Sequence, residues 1–189
     1  MPEKTFYLIR HAAPQMGTGI AYDVAPGPPL STDGRREARQ VADFLAGRGI
    51  QRVVHSPLDR TSETAGALAE RLGLTPAVDA DLAEHRRGEP VETVRARVRA
   101  LWEREVASGP SVIALVSHGS PLKELLEWVS EGRVDLTRFK FSGGNVIPTG
   151  GVWQVRGEPG RPWEALFIFQ PNIMAEAPAP AWAAGGKVV

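Results

Sequence analysis

The chain has 189 residues, with 22 basic side chains, 22 acidic side chains and no cysteine. This length predicts one domain with a two-sided core, and the balanced charge gives no global field that would recruit nucleic acid or an anionic membrane. The lack of cysteine excludes disulfides, thiolate nucleophiles and thiolate metal sites. Since no apolar run is long enough to cross a membrane, we expect a cytoplasmic protein.

The first half of the chain alternates strand and helix patterns. A Gly- and Pro-rich loop, residues 12–29, separates the first strand from the first helix, and loops of this length are often functional. The helices show apolar residues at helical spacing and glycine stop signals. The predicted elements are strands at 6–9 and 52–55, a helix from about Ser31 or Thr32 to Gly47, and a helix after Ser56-Pro57 that ends at Gly73.

The second half continues the alternation after a short apolar piece at Ala77 and Val78 and a polar loop over 81–90. Two strands separated by a Gly/Pro turn predict an antiparallel hairpin near a sheet edge. We expect a domain over residues 1–174 and a flexible Ala-, Pro- and Gly-rich tail over 175–189. One predicted helix has an apolar face, formed by Val91, Val94, Val98, Leu101 and Trp102, and a solvated surface with Arg95, Arg97 and Arg99. A strand at 113–117 precedes a second helix, whose apolar residues are Leu122, Leu125, Leu126 and Val129. The strands of the hairpin are predicted at 152–155 and 165–169.

Two histidines, His11 and His118, each follow a buried-type strand. If both strands are parallel, the imidazoles meet at the carboxyl edge of the sheet, where open α/β sheets bind ligands. Arg10 precedes His11 and is suited to phosphate. The pattern predicts a three-layer α/β/α fold with a mainly parallel central sheet and phosphoryl chemistry at that edge.

A neutral imidazole can attack phosphorus when one nitrogen is held as a donor, and His11 is our candidate nucleophile. Arg10 and Arg60 are candidates for a phosphate clamp because guanidinium groups bind phosphate through two donors. His118 is a second donor to the phosphate, and the backbone of Gly119 and Ser120 at the next helix start favours an anion. We expect no metal and no other cofactor.

The motifs Arg10-His11-Ala12, Pro29-Leu30-Ser31 with Gly34, Ser56-Pro57-Leu58-Asp59-Arg60-Thr61, and Ser117-His118-Gly119 occur in the order found in the histidine phosphatase superfamily, also called the phosphoglycerate mutase-like family. The chain resembles this family from about residue 5 to residue 128. The resemblance implies a phosphoglycerate mutase-like fold and a phosphohistidine on His11 that water hydrolyses in the phosphatases.

The same resemblance identifies Leu82-Ala83-Glu84 as the acid loop, with Glu84 as general acid and base. We expect neighbouring arginines to lower the pKa of Glu84 and a bound phosphate dianion to raise it. Ala12 stands where the family has glycine, and residues 13–17 lack the pattern of many mutases. These departures favour the phosphatase branch of the family. Within that branch, the resemblance implies that phosphohistidine-protein phosphatases tend to lack the acid, so Glu84 argues against that activity.

The predicted activity is therefore a metal-independent phosphomonoesterase acting on a small phosphorylated metabolite or sugar, with inorganic phosphate as product. Alternatives are a mutase, a metallohydrolase, and a catalytically silent phosphate-binding or regulatory protein. A homodimer through terminal apolar elements, including Trp153 and the tail, is also open. The ligands of a metallohydrolase would come from His11, His55, Asp59, Glu84 and His118. Four other side chains are candidates for a substrate contact or for a group that supports the site: Glu63, His85, Arg86 and Arg87. We expect Trp128, Trp153 and Trp163 to lie in the core or in an interface.

Overall fold

A computed structural model describes residues 3–172, apart from residue 140 and residues 142–144. Strands and helices alternate through most of this region. The strands are β1 (Lys4–Arg10), β2 (Arg52–His55), β3 (Ala77–Val78), β4 (Val112–Ser117), β5 (Val152–Gly157) and β6 (Glu164–Phe169), and the helices are α1 (Thr32–Leu45), α2 (Asp59–Leu72), α3 (Val91–Ala107) and α4 (Gly119–Val129).

The strands form one six-stranded sheet in the order β3-β2-β4-β1-β5-β6. The first four in this order are parallel to one another, while β5 is antiparallel to β1 and β6 antiparallel to β5. This confirms the predicted mainly parallel sheet and the hairpin at its edge. The structure extends the predicted strands β1, β4, β5 and β6 at one or both ends, leaves β2 as predicted, and ends α1 at Leu45, before the predicted stop at Gly47.

Alternation along β1 accounts for the three layers, because successive side chains of a strand point to opposite faces. Phe6 and Leu8 pack in one core with residues of α3 and α4, including Trp102 and Leu125. On the other face, Tyr7 and Ile9 pack with residues of α1 and α2 in a second core. Trp153 belongs to the first core and is 1% exposed, so the suggestion that it forms a dimer surface is wrong.

Each helix follows a segment that leaves the carboxyl end of the strand before it. Ser31 caps α1 through its Oγ, which accepts from the Gly34 amide (2.9 Å). Gly73 ends α2 in the left-handed region at φ 68°. α4 starts directly after His118, so the backbone amides of its first turn lie beside that side chain.

In the part of the chain that the structure describes, no helix has the length and apolar character needed to cross a membrane. The predicted tail, residues 175–189, lies outside the described residues, and the division of the chain after residue 174 stays a prediction.

Candidate active site

The register of two neighbouring strands brings the two predicted histidines together. β1 and β4 are parallel, with Arg10 opposite Ser117, and the amide of His11 donates to the Ser117 carbonyl (2.9 Å). The ring centroids of His11 and His118 are 5.2 Å apart. Both imidazoles therefore enter one pocket at the carboxyl edge of the sheet.

A hydrogen bond fixes the tautomer of His11. Its Nδ1 donates to the Ala12 carbonyl (2.8 Å), and because a carbonyl only accepts, the proton of the neutral ring lies on Nδ1. Nε2 is buried and has no hydrogen-bond partner among the described residues. Burial lowers the pKa of His11 well below its usual value, and Arg60 and Arg10 add to this shift. The side chain is thus a neutral imidazole with an available lone pair, the form that can act as a nucleophile.

Ser56 orients the second histidine. Its Oγ lies 2.7 Å from His118 Nε2 and accepts from the Leu58 amide (3.4 Å), so its own proton is available to Nε2. The proton of neutral His118 then lies on Nδ1, which is 3.5 Å from Glu84 Oε2. Burial is the main cause that lowers the pKa of His118 well below its usual value, followed by His11 and the two pocket arginines. His118 is a neutral donor, and fixed positive charge in the pocket comes from arginine.

Two guanidinium groups supply that charge. Arg10 Nη1 donates to the Ile147 carbonyl (2.7 Å), and Arg60, which is 0% exposed, donates through Nη1 to the Tyr22 carbonyl (2.8 Å). The Nε atoms of both arginines are buried and unpartnered within the described residues. Buried donors need an acceptor, and the oxygens of a phosphate group would satisfy these two together with His118 Nδ1.

Glu84 lies between the clamp and the second histidine. Its Oε2 is 3.4 Å from Arg60 Nη2, and its Oε1 accepts from the His85 amide (3.0 Å). Burial raises the pKa of Glu84 above its usual value, although the His85 amide, Arg60 and Arg10 oppose this shift. The arginines lower this pKa as expected, but the expectation left out desolvation of the 13% exposed side chain, which outweighs their attraction and makes the net shift upward.

The acid loop is held by a residue that the sequence places on a solvated surface. Arg97 is 14% exposed and contacts Glu89 (3.2 Å), and it donates to the carbonyls of Asp81 (2.7 Å) and Glu84 (3.2 Å). Its assignment to the solvated face of α3 is wrong, because its guanidinium group binds those two carbonyls and the Glu89 carboxylate. Arg95 and Arg99 are likewise engaged, the first with Glu124 and the second over the Trp128 ring.

Three further residues of the pocket are absent from the sequence prediction. The Tyr22 ring lies under the Arg60 guanidinium, 4.2 Å from its centre. Glu37 Oε2 accepts from the Ala13 amide (2.8 Å) and Oε1 from Thr149 (3.2 Å). Asn145 reaches Gly119 so closely that a Cβ there would overlap its side-chain oxygen. Only Glu37 carries a sequence signal, a carboxylate on the apolar face of α1.

Several weighed residues lie outside the pocket or only at its rim. His55 is buried and binds the Ser56 carbonyl, and Glu63 contacts Arg35 and the Leu30 amide, so Glu63 does not orient the clamp. His85 bridges Ser120 and Glu89. Arg86 and Arg87 have exposed side chains.

Among the described residues, three of the five side chains considered as ligands of a metallohydrolase lie close together. Donor atoms of His11, Glu84 and His118 lie within 4.8 Å of one another, and neither His55 nor Asp59 joins this group. Arg60 also contacts Glu84, and a cation at this point would face a buried like charge. Of these three residues only His118 offers a donor, through Nδ1, so an anion at this point would be held by His118 and the arginines.

Comparisons with known proteins agree with this geometry. A sequence model of the histidine phosphatase superfamily (branch 1) matches residues 6–89. The chain is 34% identical over 154 residues to the uncharacterized protein Rv0525 of Mycobacterium tuberculosis, and the matched region covers 78% of this chain and 73% of that protein. It is 28% identical over 123 residues to a probable phosphoglycerate mutase, GpmB, of Yersinia pestis, covering 63% of this chain and 56% of that protein.

The fold also matches a solved structure, that of the mycobacterial glucosyl-3-phosphoglycerate phosphatase Rv2419c. The TM-score is 0.70 at 22% identity, over 88% of this chain and 98% of the other. Together with the motif order and the paired histidines, these relationships lead to one conclusion: the chain belongs to the histidine phosphatase superfamily.

Proposed function

We propose that the protein is a metal-independent phosphomonoesterase that hydrolyses a small phosphorylated metabolite through a phosphohistidine on His11 and releases inorganic phosphate. The observation that carries the proposal is the state of His11: its Nδ1 proton is bound to the Ala12 carbonyl, and its Nε2 lone pair is buried and unpartnered beside two guanidinium groups.

In the first step, His11 Nε2 attacks phosphorus, the N–P bond forms and the ester P–O bond breaks. Arg10, Arg60 and His118 Nδ1 hold the phosphoryl oxygens, where fixed donors stabilise the transferred charge. The backbone amides at the start of α4 add donors at the same point. Glu84 in its protonated form gives its proton to the leaving alkoxide, so the alcohol departs neutral.

In the second step, water attacks the phosphoryl group and the N–P bond breaks. The Glu84 carboxylate accepts the proton of this water, which restores the acid, and His11 Nε2 regains its lone pair. The raised pKa of Glu84 supports both duties, since a carboxyl group that titrates closer to neutrality exchanges protons more efficiently under working conditions.

Hydrolysis is favoured over mutase chemistry because residues 13–17 lack the pattern of many mutases. A mutase would return the phosphoryl group to a second hydroxyl of the same molecule. The release of inorganic phosphate, measured with a panel of phosphorylated metabolites, distinguishes hydrolysis from mutase chemistry. The metabolites that release phosphate also indicate the class of substrate.

The test is to trap the covalent intermediate. The protein is mixed with a 32P-labelled phosphomonoester that it hydrolyses, denatured in alkaline detergent and mapped by peptide analysis, in the presence and absence of a chelator. We expect an acid-labile, alkali-stable label on His11, unaffected by the chelator and lost in His11→Gln.

His55→Gln is the matched control, because His55 is the last residue of β2 and also binds the next carbonyl through Nδ1 at 2.8 Å. This variant should keep the label. A label on another residue, a label that persists in His11→Gln, or turnover abolished by the chelator would each contradict the mechanism.

A further inference from the structure

The Arg60 guanidinium is held by the loop that follows His11 rather than by its own helix. Tyr22 contacts it twice: the main-chain carbonyl accepts from Nη1 (2.8 Å), and the ring lies 4.2 Å from the guanidinium carbon. Gly27 of the same loop is close enough that a Cβ would lie 2.8 Å from Nη1. One segment of loop therefore encloses the cation on several sides.

The same tyrosine also reaches the second arginine of the pocket. Burial lowers the pKa of Arg10, and a hydrogen bond with the Tyr22 side chain is among the causes that oppose this shift. Tyr22 thus contacts Arg60 through its ring and main chain, and its hydroxyl favours the charged form of Arg10.

The loop is fixed in this position from two directions. Asp23 Oδ2 accepts from the amide of Arg87 on the acid loop (2.7 Å), and the Pro26 carbonyl accepts from the Asp59 amide at the start of α2 (2.7 Å). These bonds place Tyr22 against the clamp without any contribution from the two histidines. The orientation of Arg60 consequently depends on the path of this loop.

We propose that Tyr22 is a positioning residue, which orders Arg60 in the phosphate clamp and so determines phosphate affinity. The inference rests on the proposed function only in taking phosphate as the ligand. An arginine loses rotamer entropy when it binds, and stacking on an aromatic face pre-orders the guanidinium plane before phosphate arrives.

Two variants at position 22 separate the ring from the hydroxyl. Tyr22→Phe keeps the stacking surface and the main-chain carbonyl, whereas Tyr22→Leu removes the ring. We expect Tyr22→Leu to weaken the Kd for inorganic phosphate about tenfold, and Tyr22→Phe only about threefold, because a desolvated cation–π contact is the stronger of the two interactions lost. Calorimetric titration with inorganic phosphate measures both values.

Tyr7→Phe is the matched control, since Tyr7 is the other tyrosine of the chain and its hydroxyl contacts Gln154 in the sheet. It should leave the Kd unchanged. A positioning role also predicts that kcat/KM falls in the same order as phosphate affinity, with Tyr22→Phe recovering most of the loss seen in Tyr22→Leu.

A double-mutant cycle distinguishes positioning from direct contact. In an Arg60→Lys background, Tyr22→Leu should add only about threefold to the loss of affinity, the loss expected for the hydroxyl alone, because the guanidinium group that the ring orders is gone. Equal losses with and without Arg60, or an unchanged Kd in Tyr22→Leu, would overturn the proposal. A wild-type protein that binds phosphate but releases none from esters would contradict the proposed function, while the affinity series would still test Tyr22.

Discussion

At the scale of single residues, burial shifts the pKa values of His11 and Glu84 in opposite directions. Desolvation is the largest cause for both: it lowers the pKa of His11 well below its usual value and raises the pKa of Glu84. Both shifts favour the neutral form. The pocket can therefore hold a free-base imidazole and a protonated carboxyl at one pH, which is the pair of states that the first chemical step requires.

Glu84→Gln should lower kcat about 10²- to 10⁴-fold, the usual contribution of proton transfer, and leave phosphate affinity largely intact. The acid limb of kcat/KM reports protonation of His11 and should persist in the variant. The alkaline limb reports ionisation of Glu84 and should disappear. Steady-state kinetics across pH, with phosphate as a competitive inhibitor, measure all three quantities.

Glu124→Gln serves as the control for this change, because Glu124 is also a buried carboxylate paired with an arginine but lies on α4 outside the pocket. Its kcat should match the wild type. Equal losses of phosphate affinity and kcat in Glu84→Gln would refute the role of Glu84 in proton transfer.

The sequence predicts those site residues that follow strands or stand in a local motif. Arg10, His11, Arg60 and His118 meet because parallel strands end at a common edge, and this could be anticipated. Tyr22 and Asn145 could not be, since their positions depend on the paths of long loops. The sign of the Glu84 pKa shift also escaped prediction, because it depends on how much burial competes with the arginines.

At the scale of elements, α1 docks on the loop after His11 through a helical glycine. The Ala13 carbonyl accepts from the Ser31 amide (3.0 Å) and hydroxyl (3.1 Å), and a Cβ on Gly34 would overlap this carbonyl. The glycine is required by close approach rather than by its backbone angles. The start of α1 therefore fixes the main chain next to the nucleophile.

Gly34→Ala should destabilise the protein by about 1–3 kcal/mol, because the clash with main chain outweighs the higher helix propensity of alanine. Gly66→Ala in α2 is the matched control: no atom lies within 4 Å of its Cβ position, and it should stabilise by about 0.5–1 kcal/mol. Urea unfolding gives both values. A stabilised Gly34→Ala protein would show that the contact is not tight.

At the scale of the whole molecule, the buried histidines link stability to pH. The pKa values of His11 and His118 are lowered on folding, so the unfolded chain binds more protons below about pH 6.5. Their contribution to stability is present above that pH and is lost as the pH falls. Glu37 and Glu84, whose pKa values are raised, contribute the opposite sign from about pH 4.5 upward.

His11→Gln should therefore flatten the fall of the unfolding free energy between about pH 6.5 and pH 5. Urea titrations at several pH values give the slope, and comparison with the wild type removes the contribution of the carboxyl groups. An identical slope in the variant would mean that His11 titrates normally in the folded protein.

The position of β1 in the sheet also bears on how the protein folds. Both of its neighbours, β4 and β5, come from the second half of the given sequence, so β1 stays unpaired until these distant segments reach it. Long-range pairing of this kind is slow and leaves apolar surface exposed. His11, which follows β1, therefore acquires its surroundings late, so the pocket should assemble only after β4 and β5 have paired with β1.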